Sequence, residues 1–158
     1  MVFRYNEYAN ITSLDPAFSL NLANIWPTAQ LYNGLVQLND QLEVVPDLAK
    51  TWSISPDGLV YTFDLREDVY FHKHALFGDQ KTRKVTASDF KYSLMRLSDP
   101  QLASPGSWVM QNVEKIESIE DLRLSITLKK PFPAFLGLLS MRYCSVLPRE
   151  IVEELGED

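Results

Sequence analysis

Two histidines, His72 and His74, stand at i, i+2. On an extended strand that spacing puts both imidazoles on one face, the beginning of a metal pair. No cysteine or carboxylate supplies a third ligand at a standard spacing, so a solvated loop pair is the plainer expectation and no metal site is assigned. Cys144 is the only cysteine, which excludes an intrachain disulfide, and beside Tyr143 it lacks any nucleophile motif. It reads as a small buried thiol. The acid pairs Asp64 with Asp68 and Glu153 with Glu154 read as solvated faces. There is no Gly-x-Ser-x-Gly, no Gly-rich phosphate loop and no dinucleotide fingerprint. Without a nucleophile, a base and oxyanion donors in combination, the chain does not read as an enzyme, and nothing in it calls for a cofactor. A small hydrolase would need a catalytic cluster that the sequence does not display.

Composition narrows the partners. The formal net charge is −6, and the one basic run is Lys81-Thr82-Arg83-Lys84. A nucleic-acid partner is not expected, because phosphate neutralisation needs a basic face. The 158 residues are 46% hydrophobic and 23% charged, enough for a real core and too apolar for wholesale disorder. No apolar run approaches the ~18 residues of a membrane helix. Met1-Val2-Phe3-Arg4-Tyr5 has neither the basic nor the apolar region of a signal peptide.

The elements that must position any site are legible from periodicity. The stretch Leu48 to Phe71 reads as a β-hairpin. Trp52 and Ile54 alternate with polar neighbours, Ser55-Pro56-Asp57-Gly58 has turn chemistry, and Tyr61, Phe63 and Leu65 point to one side. Val113 to Ile119 and Leu122 to Leu128 read as a second hairpin about Glu120-Asp121. Thr86 with Asp89 forms a short capping box, with Val85 and Phe90 placed as a hydrophobic staple. Phe90, Leu94 and Leu97 form the buried stripe of that helix, which Ser98-Asp99-Pro100 ends. Shorter elements are expected at Val2 to Tyr8 (strand), Pro27 to Asn33 (helix), Leu35 to Leu38 (strand), from Pro133 (helix) and from Pro148 (helix). His72 to Lys84 reads as a loop. The fold class is α+β, mainly antiparallel sheet with flanking helices.

The order and spacing of several blocks carry a resemblance. Ala49, Asp57-Gly58 and Val60-Tyr61-x-Phe63-x-Leu65-Arg66-x-Asp68-Val69 form the centre. Upstream stand Ser13-Leu14-Asp15-Pro16, Leu31-Tyr32-Asn33-Gly34-Leu35 and Val45-Pro46-Asp47-Leu48. Downstream stand Val85-Thr86-Ala87-Ser88-Asp89-Phe90 with Ser93 and Arg96, Ser98-Asp99-Pro100, and Lys130-Pro131-Phe132-Pro133-Ala134-Phe135-Leu136. Together they resemble family 5 extracellular solute-binding proteins, the dipeptide-, oligopeptide- and nickel-binding receptors of bacterial ABC importers.

That resemblance implies part of a two-lobed, type II periplasmic-binding fold. It implies that residues 1–36 are an incomplete strip of the larger lobe, 37–143 a small α+β subdomain and 144–158 a return segment toward the larger lobe. It implies an N-terminal portion whose signal has been removed, working in the periplasm or at the cell surface, with or without a lipid anchor. The implied partners are a peptide ligand and an ABC permease. The alternative within the family is nickel or a metal chelate, for which the two histidines are the only local support. In peptide-binding relatives the segment matching Leu20, Asn21 and Leu22 lies along the ligand backbone, which would act by strand addition. Gly106, Ser107 and Trp108 match an aromatic-bearing loop, in which Trp108 either covers the ligand or anchors the loop to the core. Aromatics such as Trp26 and Tyr32, bared by loss of the rest of the lobe, would drive dimerisation through an artificial patch.

Overall fold

A computed structural model of the chain describes residues 9–156. The helices are α1 (Leu22–Leu31), α2 (Ala87–Arg96), α3 (Phe135–Leu139) and α4 (Arg149–Leu155). The strands are β1 (Val36–Leu38), β2 (Val44–Pro46), β3 (Ala49–Ile54), β4 (Val60–Leu65), β5 (Val113–Glu120) and β6 (Arg123–Leu128). β1 and β2 form a two-stranded antiparallel ribbon, and the others a four-stranded antiparallel sheet in the order β3-β4-β6-β5. The expected strand at Val2 to Tyr8 lies outside the described residues.

The sheet follows from alternation. Tyr61, Phe63 and Leu65 on β4 and Leu124, Ile126 and Leu128 on β6 are all buried. The register sets Phe63 opposite Leu124 and Tyr61 opposite Ile126, so both strands present one continuous apolar face. The hairpin between β3 and β4 closes as its turn residues require. The Gly58 N–H donates to the Ser55 carbonyl at 2.8 Å, and Gly58 takes φ +71°, a conformation that glycine reaches without a Cβ penalty.

Helix α2 lies against β5 and β6. Its N-terminus carries the expected box: Asp89 Oδ2 accepts from the Thr86 N–H and from its hydroxyl, both at 2.9 Å. Phe90, Leu94 and Leu97 are fully buried, as their spacing demands. Arg83 donates to both Asp89 oxygens, at 2.7 and 2.8 Å, and also to the Glu150 carboxylate on α4. Its guanidinium lies 4.9 Å from the Phe71 ring centroid. One cation therefore gathers the start of α2, the start of α4 and the Phe71 segment. Residues 69–71 do not extend the main sheet. They pair with 83–85, through the Tyr70–Lys84 bridge and the Val85 N–H to Val69 carbonyl bond of 3.0 Å. The loop from His72 to Lys84 contains a 3-10 segment, Ala75–Gln80.

The N-terminal residues are fastened by a second ion pair. Arg96, in the last turn of α2, donates Nη2 to Asp15 Oδ2 at 2.7 Å and Nη1 to Oδ1 at 3.2 Å. The two side chains are only 9% and 12% exposed. Asp15 Oδ1 also accepts the Ala17 N–H at 2.9 Å and so starts the 3-10 turn Pro16–Phe18. Next along the chain, Asn33 donates its amide to both oxygens of Asp47, at 3.0 and 3.1 Å, fixing the approach to β1 against the exit of β2. The Val146 N–H donates to the Asn33 carbonyl at 3.0 Å, and the Leu147 N–H donates to Ser93 Oγ at 2.9 Å. The return segment is thus stitched to the approach to β1 and to the middle of α2.

One helix differs from expectation. It runs over Leu22–Leu31 instead of Pro27 to Asn33, and Pro27 sits inside it. Asn21 is the N-cap, its Oδ1 accepting the Asn24 N–H at 3.0 Å. Asn24 is itself held by Thr12, whose N–H donates to Asn24 Oδ1 at 3.0 Å, and Ser19 and Thr28 share a buried hydroxyl bond of 3.0 Å. These polar contacts fix the first turn and outweigh the loss of one helical bond at Pro27.

The Asp15–Arg96 pair gives a direct test. Asp15→Asn removes the charge from one side of this nearly buried pair, and urea unfolding is expected to show a loss of about 2 kcal/mol. A loss below about 0.5 kcal/mol would place the pair with ordinary surface ion pairs.

Candidate functional site

The first expected segment, Leu20 to Leu22, forms the exposed approach to α1. Leu20 and Leu22 are 66% and 56% exposed. Asn21 is extended, at φ −112° and ψ 162°. Among the described residues, the Leu20 carbonyl and the N–H groups of Asn21 and Leu22 make no hydrogen bond within the chain. The side chain of Asn21 is occupied by capping. What this segment offers a partner is therefore main-chain donors and an acceptor, at the positive end of a helix, flanked by two apolar side chains.

The second segment has a division of labour that the sequence does not display. Gly106 is buried, whereas Ser107 and Trp108 are exposed, Trp108 at 44%. Val109 and Met110, next in the same 3-10 turn, are buried and hold the turn to the core. The anchoring is thus done by Val109 and Met110, and much of the Trp108 surface stays in solvent. Ser104 links the two segments. Its hydroxyl donates to the Ala17 carbonyl at 2.7 Å and accepts the Gly106 N–H at 3.0 Å. Leu20 lies three residues beyond Ala17 and Trp108 two beyond Gly106, so both segments leave a common joint.

A cavity of about 780 Å³ lies elsewhere, between residues 11–15, 69–74 and α4. None of the six expected residues lines it. Of its polar groups, Asp15 is engaged by Arg96, and His74 Nδ1 accepts the Leu76 N–H at 3.3 Å. His72 and His74 lie in a non-strand stretch beside this groove. Among the described residues no three His, Cys, Asp or Glu side chains gather as a metal site would require.

Other titratable groups serve the scaffold. Burial, and then the Asp15 carboxylate, raise the Tyr32 phenol above its ordinary value. The hydrogen bond from Arg83 holds Glu150 below the usual carboxylate range. Cys144 is buried, its Sγ–H directed at the Leu138 carbonyl at 3.6 Å, and burial pushes its thiol up to about 12. A thiol so placed is not a nucleophile near neutral pH. The native chain is accordingly expected to resist Ellman's reagent at pH 8 and to react once unfolded in urea. Stoichiometric labelling of the folded chain would contradict this burial.

Comparison with known proteins gives a consistent set of likenesses. Residues 43–154 match the model for bacterial extracellular solute-binding proteins, family 5 Middle. A probable di/tripeptide-binding protein 5 from Pseudomonas aeruginosa is 36% identical over 139 residues, which cover 79% of this chain and 26% of that protein. The glutathione-binding protein GsiB of Escherichia coli K12 is 29% identical over 150 residues, 95% of this chain and 28% of that protein. Among solved structures, the periplasmic binding protein DppA from Helicobacter pylori, in complex with the peptide STSA, superposes with a TM-score of 0.81. It is 33% identical, over 93% of this chain and 31% of that one. The chain spans about a quarter to a third of the length of these relatives.

Proposed function

The chain belongs to the family 5 extracellular solute-binding proteins of bacteria, and on that premise we propose that it forms one wall of the cleft of a receptor that captures peptides for an ABC importer. The observation that carries this reading is the Ser104 joint, which brings an exposed main-chain edge and an exposed indole out of one rigid seam. Relatives described as di/tripeptide-binding, and a structural neighbour holding a peptide, support the choice of ligand class.

In this reading Leu20, Asn21 and Leu22 hydrogen-bond to the ligand backbone, which gives affinity without reading side chains. Trp108 lays a flat apolar face over the peptide and offers its indole N–H. Residues 1–36 belong to the larger lobe, 37–143 to a small subdomain, and 144–158 return toward the larger lobe. The stitching of Val146 to Asn33 supports that path. Closure of two lobes over the ligand makes the form that docks on the permease, outside the cytoplasmic membrane. The role is capture and delivery, with no bond made or broken.

Calorimetric titration of di- to pentapeptides into the receptor at the length of its relatives tests the assignment. Trp108→Ala is expected to weaken binding about tenfold, the loss of roughly 1.4 kcal/mol of aromatic contact. Unchanged affinity would remove Trp108 from the cleft.

A further inference from the structure

Gly106 has φ −85° and ψ 0°, a backbone conformation open to any residue. Glycine is demanded there for a different reason. A Cβ on Gly106 would lie 2.5 Å from Cγ, 2.7 Å from Cδ1 and 2.9 Å from Cβ of Tyr143. The loop backbone rests directly on the root of that ring, closer than any side chain at position 106 would allow. Tyr143 is 7% exposed and belongs to the 3-10 turn Arg142–Cys144. This turn also packs against the Pro16–Phe18 turn and against α1.

We propose that Tyr143 is a positioning residue for ligand capture: its ring is the seat that sets where Trp108 stands relative to Leu20–Leu22. The inference rests on the reading that both segments face the ligand, and adds what fixes the distance between them. The Arg142–Cys144 turn touches the base of each segment, the Pro16–Phe18 turn and α1 on one side and Gly106 on the other. Ser104 ties the same two bases by hydrogen bonds. Ring contact and hydroxyl bridge together leave the loop little freedom to slide. The Tyr143 hydroxyl makes no hydrogen bond among the described residues, so the ring, not the hydroxyl, does the seating.

The chain labelled with 5-fluorotryptophan gives three fluorine resonances, from Trp26, Trp52 and Trp108. Trp108→Phe assigns the one that matters, and Trp52, in β3, reports the integrity of the sheet. Tyr143→Ala is expected to displace the Trp108 resonance by more than its linewidth and leave Trp52 in place, while Tyr143→Phe leaves both unmoved. An unmoved Trp108 resonance in Tyr143→Ala, or an equal displacement by Tyr143→Phe, would overturn the proposal. Should Tyr143→Ala also disturb Trp52, Gly106→Ala decides, because it lifts the loop from the ring without emptying the core. Displacement of Trp108 alone supports the seat, and no displacement overturns it. No ligand is added, so the outcome is independent of peptide binding. A receptor that fails to bind peptides would sink the functional reading and leave the seat standing.

Discussion

A carboxylate and a guanidinium withdrawn together from water hold this structure in its shape. Neither Asp15 nor Arg96 could be buried alone, since an isolated charge in a protein interior is costly. Paired through two hydrogen bonds, they join the N-terminal segment to the last turn of α2, 81 residues away along the chain. Asp15 then spends its remaining capacity on the Ala17 N–H, which sets the turn whose Ala17 carbonyl receives Ser104. The exposed segment Leu20–Leu22 and the loop bearing Trp108 are therefore placed by a chain of contacts that begins at one ion pair. Arg83 plays the corresponding part at the other end of α2, where it holds α4 and the Phe71 segment to the helix start.

This arrangement gives the recurrent sequence blocks a physical meaning. Asp15 meets Arg96, Asn33 meets Asp47, and Ser93 meets Leu147. Asp89 meets both Thr86 and Arg83. The polar members of the blocks that carry the family likeness are spent on one another. They define a scaffold, whereas Leu20, Asn21, Leu22 and Trp108 lie between the blocks and are exposed. A scaffold built in this way tolerates a change of ligand without a change of fold, since few scaffold side chains need face the ligand.

What was legible in the sequence was local. The alternation of Tyr61, Phe63 and Leu65, the Pro56–Gly58 turn, the Thr86–Asp89 box and the stripe of Phe90, Leu94 and Leu97 each rest on neighbours within one element, and each appears where expected. The start of α1 was not legible. Pro27 suits a first helical position, whereas the true cap at Asn21 accepts from Asn24, whose side chain Thr12 holds, and Ser19 adds a bond to Thr28, contacts that periodicity cannot carry. A loop at Gly106 was expected, but its need for glycine comes from Tyr143, 37 positions away, and no local pattern reports such an approach. The exposure of Trp108 likewise depends on Val109 and Met110 taking the core positions, a choice made by packing.

If the ligand is held through its main chain, as proposed, the cleft accepts many peptide sequences of similar length. Native mass spectrometry of the receptor, at the length of its relatives and purified without added ligand, examines this directly. The account predicts a retained and heterogeneous set of peptide masses that disperses when the protein is unfolded and refolded. A single metal-containing mass in place of that set would contradict it.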